Sequence, residues 1–96
     1  MMKIHKYKVL PSFEIQTLNE PGIHSIVSAA EQNGEVVLYA RIEQNYHSKQ
    51  KKFMVIGTGW EVDVSKEYSL HFVNTVKTGG FVWHVFEAQP WEELPF

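Results

Sequence analysis

Apolar and polar positions along this 96-residue chain alternate with a period of two in short stretches. No stretch keeps a 3.6-residue apolar repeat over three turns. β-Branched and aromatic runs separated by turn residues predict an all-β domain. The runs are Ile4–Leu10, Phe13–Leu18, Ile23–Gln32, Glu35–Glu43, Lys52–Ile56, Ser69–Val76 and Phe81–Ala88. Pro11-Ser12 closes the first, Asn19-Glu20-Pro21-Gly22 turns after the second, and Gly57-Thr58-Gly59 ends the fifth. Gln44–Lys51 is polar and aperiodic, so it reads as a mobile surface loop. Trp60–Glu67 reads as a wide connection with Val62 and Val64 tucked inward.

Two hairpins follow from the turn chemistry. Asn33-Gly34 suits a two-residue type I′ turn, which needs positive φ at both positions. That turn sets Gln32 against Glu35, Ala29 against Leu38, Val27 against Ala40 and Ser25 against Ile42. Ile23, Val27, Ala29, Val36, Leu38, Ala40 and Ile42 then form a core face. His24, Ile26, Ser28, Ala30, Val37, Tyr39, Arg41 and Glu43 form a mixed, partly wet one. The second hairpin turns through Lys77–Gly80, setting Val76 against Phe81, Asn74 against Trp83 and Phe72 against Val85. Its core face is Leu70, Phe72, Val76, Phe81, Trp83 and Val85. His71, Val73, Thr75, Val82, His84 and Phe86 are left on the other side. About seven short strands imply a small antiparallel sandwich or a partly closed barrel. Residues 1–88 form the single β domain, and 89–96 form a C-terminal tail.

Composition narrows the function classes. The chain is 44% hydrophobic, which supplies one thin core, and its formal charge is −2. Arg41 is the only arginine. Nucleic-acid binders usually carry a basic surplus and Arg forks, so nucleic acid is disfavoured as a partner. The absence of cysteine fits a reducing compartment and a cytoplasmic location. No run is long and apolar enough to span a membrane, and the N-terminal stretch lacks the apolar segment of a signal peptide.

Lys6-Tyr7, Pro21-Gly22, Gln32-Asn33-Gly34, Gly57-Thr58-Gly59 and Phe81-Val82-Trp83-His84-Val85-Phe86-Glu87 occur in a suggestive order. Over about residues 3–87 the chain resembles a family of small, uncharacterised bacteriophage and prophage β-domain proteins. The resemblance implies a phage origin and an all-β fold, and no catalytic residue. Trp60 stands where the family often has His after Gly-Thr-Gly. Val36-Val37-Leu38-Tyr39-Ala40 replaces an aromatic-rich strand.

Candidate chemistry is sparse. His71 and His84 would be diagonal neighbours about 7–8 Å apart on the second hairpin. A zinc site needs three or four ligands, and Glu87 would fall on the other face. His5, His24 and His47 have no metal-ligand spacing. Asp63 is the only aspartate, and no serine sits in a nucleophile elbow. Gly57-Thr58-Gly59 precedes no helix, so it reads as a β corner rather than a phosphate loop. No catalytic, cofactor-binding or metal residue is therefore assigned, and no cofactor is expected.

Ligand or interface candidates remain. Thr75, His71, His84 and Phe86 lie on the leftover face of the second hairpin, and Tyr39 and Arg41 on the mixed face of the first. Trp60 follows the glycine corner, and Trp91 sits in the tail. With Phe96 it would cover an apolar face, in cis or on a second subunit. Lys6 and Lys8 share one side of the first strand. With Lys3 and the Lys49/Lys51/Lys52 group they would embrace a small anion if the clusters meet. The expected function is a non-enzymatic, homo-oligomeric binding protein, such as a counter-defence protein capturing a host protein or a small signalling nucleotide. The alternatives are a structural or virion-accessory protein, and a metal-dependent enzyme using His71 and His84.

Overall fold

The structure is a computed structural model and describes residues 1–93. It has seven strands: β1 (Met2–Val9), β2 (Gln16–Asn19), β3 (Ile23–Gln32), β4 (Glu35–Glu43), β5 (Gln50–Gly57), β6 (Tyr68–Thr78) and β7 (Phe81–Pro90). A 3₁₀ turn, Trp91–Glu93, follows. All strand pairs are antiparallel. They form a three-stranded sheet, β1-β4-β3, and a four-stranded sheet, β2-β5-β7-β6. The two sheets stay separate rather than closing into a barrel, so the domain is a small sandwich. β7 continues through Gln89 and Pro90, two residues past the expected end of the β domain. The rest of the expected tail, Leu94, Pro95 and Phe96, lies outside the described residues. No described helix is long and apolar enough to cross a membrane.

Asn33 (φ 52°) and Gly34 (φ 80°) make the two-residue turn between β3 and β4. The expected pairing holds from Gln32–Glu35 to Ser28–Tyr39. It then breaks twice, because bulges set two β3 residues against one on β4. Ile26 pairs with Ala40 and Ile23 with Ile42. This corrects the expected faces: Val27 is 48% exposed and Ile26 is buried. Val37, assigned above to the wet face, is also buried. Lys6 pairs with Tyr39 in β1–β4, and its Nζ donates to Gln32 Oε1 at 2.6 Å. The bond ties β1 to β3 across the central strand β4.

The second hairpin turns more tightly than expected. Thr78 pairs with Phe81, leaving Gly79-Gly80 as the loop, so Val76 faces Trp83 and Asn74 faces Val85. A bulge at Val73 exchanges the faces below it, and Phe72 pairs with Phe86 on the outward side. The expected core residue Phe72 is accordingly exposed, and Phe81 is exposed because it stands at the turn end of β7. β2 is shorter than its run, and Phe13 lies in the connection before it. Val62 is half-buried and Val64 is exposed.

The core lies between the sheets. Ile23, Ile26, Ala29, Val36, Leu38, Ala40 and Ile42 from one sheet meet Leu18, Phe53, Val55, Val76 and Val85 from the other. Each fully buried Leu, Val or Phe contributes about 1.5–3 kcal/mol of transfer free energy. Two polar side chains fasten the sheets at the β3 edge. Glu87 Oε1 accepts from Ile26 N–H at 2.9 Å, and the Asn74 carboxamide bonds Ala29 N–H and C=O.

Candidate functional site

The two most specific motifs of the sequence meet at one end of the four-stranded sheet. β5 ends at Gly57, and Trp60 N–H donates to Gly57 C=O at 3.1 Å, closing a turn with Gly59 at φ 85°. Gly57-Thr58-Gly59 is thus a corner, as its context suggested. Gly57 must be bare there, because a Cβ would lie 2.6 Å from Trp60 Nε1. The Trp60 ring occupies that space and meets Trp83 edge to face, with centroids 5.5 Å apart. Phe13 stacks on Trp60 at 4.4 Å, and Phe81 on Trp83 at 5.5 Å. Trp83 Nε1–H donates to the buried Thr78 hydroxyl at 2.6 Å. Phe13 is 57% and Phe81 64% exposed. The row therefore has two ordered indoles inside and two accessible rings outside.

His84 lies on the reverse face of β7. Its Nε2 is 2.7 Å from Thr58 Oγ1 and its Nδ1 is 3.2 Å from Thr75 Oγ1. A neutral imidazole donates at one nitrogen and accepts at the other, so both are spent on hydroxyls and neither is open to a metal. The contact joins the glycine corner to β7 and β6. Among the described residues no three His, Asp or Glu side chains form a metal-binding group. The β6 bulge also separates the expected histidine pair: His84 pairs with Thr75, whereas His71 faces Glu87 from the other side.

The remaining candidates are scattered. Phe86 meets Phe72 edge to face at 5.7 Å. Trp91 is 46% exposed after β7, its N–H bonded to Glu67 C=O. Tyr39, Lys6 and Lys8 share the outer face of the three-stranded sheet, where Lys8 Nζ lies 3.8 Å from Glu35. Arg41 donates to Glu43 at 3.0 Å. Lys49 and Lys51 line a groove at the end away from the aromatic row. His84 and Thr75 meet, whereas Trp60 packs on Trp83 at the opposite face of β7. Thr58, Phe13, Phe81 and Trp83 complete the site and were not among the candidates. Phe13 carried the readable signal, an aromatic beside a proline turn.

Among the described residues one titratable group is perturbed. The Tyr7 hydroxyl is buried, and none of its contacts meets hydrogen-bond geometry. Burial first, and then the nearby Glu20 carboxylate, raise its pKa above 10.0. Glu20 itself lies 2.5 Å from His5 Nδ1.

Residues 1–94 match the model of a domain of unknown function, DUF7352. The chain belongs to this family. No curated protein and no solved structure matches it.

Proposed function

We propose that this DUF7352 domain is a non-enzymatic binding protein of phage origin that captures a host-cell protein on its aromatic end. The observation that carries this is the pair of accessible rings, Phe13 and Phe81, each stacked on a tryptophan. Rings already held in place lose little rotamer freedom on binding, and rigid aromatic anchors dominate interface energetics. A patch of this kind suits the centre of a standard interface. The order of the motifs supports the phage origin, and counter-defence in the host cytoplasm is the role such capture would serve.

The test compares the native protein with a Phe13→Ser/Phe81→Ser variant. A host protein retained by the native form, lost by the variant, and rebound after separate purification supports the proposal. Retention unaffected by the double substitution overturns it. Light scattering over a concentration series tests self-association through the same end; a strict monomer removes the homo-oligomer. A second reading, capture of a small signalling nucleotide, is favoured by the polar groove at the opposite end.

A further inference from the structure

The groove lies where β3 begins, the β4–β5 loop passes, β5 begins and β7 ends, and its volume is about 910 Å3. It is a half-open surface groove, wide enough for a small ligand to lie along it with one side in water. The loop is fastened rather than loose. Gly22 N–H donates to Ser48 C=O, Glu20 N–H to Lys49 C=O and Tyr46 N–H to Glu43 C=O, at 2.9, 3.0 and 3.1 Å. The walls are thereby set before any ligand arrives.

Lys49 and Lys51 line the groove, and among the described residues neither has a carboxylate oxygen within 4.0 Å. Glu87, also in the lining, has both carboxylate oxygens engaged within the protein. Its Oε1 accepts from Ile26 N–H and its Oε2 from the Gln89 amide. On the same wall His24, Tyr46 and His47 form a run of rings with successive centroids 4.8 Å apart. Two uncommitted ammonium groups beside an aromatic wall match a ligand with both a phosphate and a flat base.

We infer that this groove binds a nucleotide, with Lys49 and Lys51 on the phosphate and the Tyr46 wall against the base. The inference rests on the nucleotide form of the binding-protein reading and is independent of the aromatic end. Lysine recognises phosphate as a point charge, and stacking on a ring tolerates any base. The class is therefore the small nucleotide, with no preference among bases.

Calorimetry with the intact protein tests it, using adenosine monophosphate, guanosine monophosphate and cyclic di-adenosine monophosphate, with adenosine and pyrophosphate as half-ligands. At least one nucleotide should bind with micromolar affinity and exceed both half-ligands. Lys49→Glu/Lys51→Glu should weaken it roughly a hundredfold and Tyr46→Ala roughly tenfold, circular dichroism verifying each fold. Phe13→Ser/Phe81→Ser should leave it unchanged. Silence across the three nucleotides overturns the inference, as does binding indifferent to the groove substitutions. Either failure leaves protein capture at the aromatic end standing, because that is read by a different variant.

Discussion

Asn74 turns its carboxamide onto the backbone of Ala29, accepting from the N–H and donating to the C=O, each at 2.8 Å. Ala29 lies on the edge strand of one sheet and Asn74 on the edge strand of the other. A side chain thus supplies the bonds that a further strand would have given, and Ala29 is 5% exposed. Asn74→Ala leaves both backbone groups buried without partners. The expected cost is about 2–4 kcal/mol in urea denaturation. Hydrogen exchange should quicken at the Ala29 amide. An unchanged midpoint and unchanged exchange there would refute this role.

Glu87 makes the second fastening, through the Ile26 N–H. Glu87→Gln keeps an oxygen for that donor, whereas Glu87→Ala removes it. The alanine variant should lose about 1–3 kcal/mol and the glutamine variant less. Equal losses in the two would show that charge, not the accepted hydrogen bond, is what matters.

Gly57→Ala is expected to evict the Trp60 ring, since the new methyl would stand 2.6 Å from its Nε1. The change should flatten the aromatic circular dichroism arising from the Trp60–Trp83 pair. It should also destabilise the domain by about 1–3 kcal/mol. Adding Trp60→Ala should recover part of that loss. If the spectrum of Gly57→Ala matches the native one, Trp60 does not depend on the bare glycine.

The Tyr7 phenol, with its pKa raised above 10.0 by burial and by Glu20, keeps its proton in the fold where an unfolded chain would lose it. Its contribution is fully present below about pH 10 and is lost as pH rises through the folded value. Tyr7→Phe should be less sensitive than the native protein in alkaline denaturation series. Near pH 7 it should match or exceed native stability by up to about 1 kcal/mol, because a buried hydroxyl without a partner is removed. Identical alkaline losses in the two proteins would assign the effect to another group.

Local chemistry made the fold legible. Asn33-Gly34 carried its own turn geometry, and the adjoining pairs from Gln32 to Ser28 followed from it. What failed lay farther from the turns. The bulge that expels Val27 presents Ile26 N–H to Glu87, 61 positions away in sequence, and nothing near Val27 reports that partner. The second hairpin slipped because Lys77 and Thr78 have unremarkable turn chemistry beside Gly79-Gly80. Its bulge at Val73 then reassigned Phe72 and parted His71 from His84. The site was legible in pieces. Trp60, Thr75 and His84 could be named, but Phe13 meets Trp60 only because β2, which follows Phe13, pairs with β5, which leads to Trp60.

β5 runs from the Lys51 end of the groove to Gly57 beneath Trp60, and β7 returns from Phe81 to Gln89. An eight-residue strand is roughly 27 Å long, so occupants of the two ends would be held that far apart without touching. The sheet is stiffened along its length by the core and by the Asn74 and Glu87 fastenings. Such a domain would act as a spacer of fixed length, tethering a small molecule and a protein in one assembly while each binds with an affinity indifferent to the other.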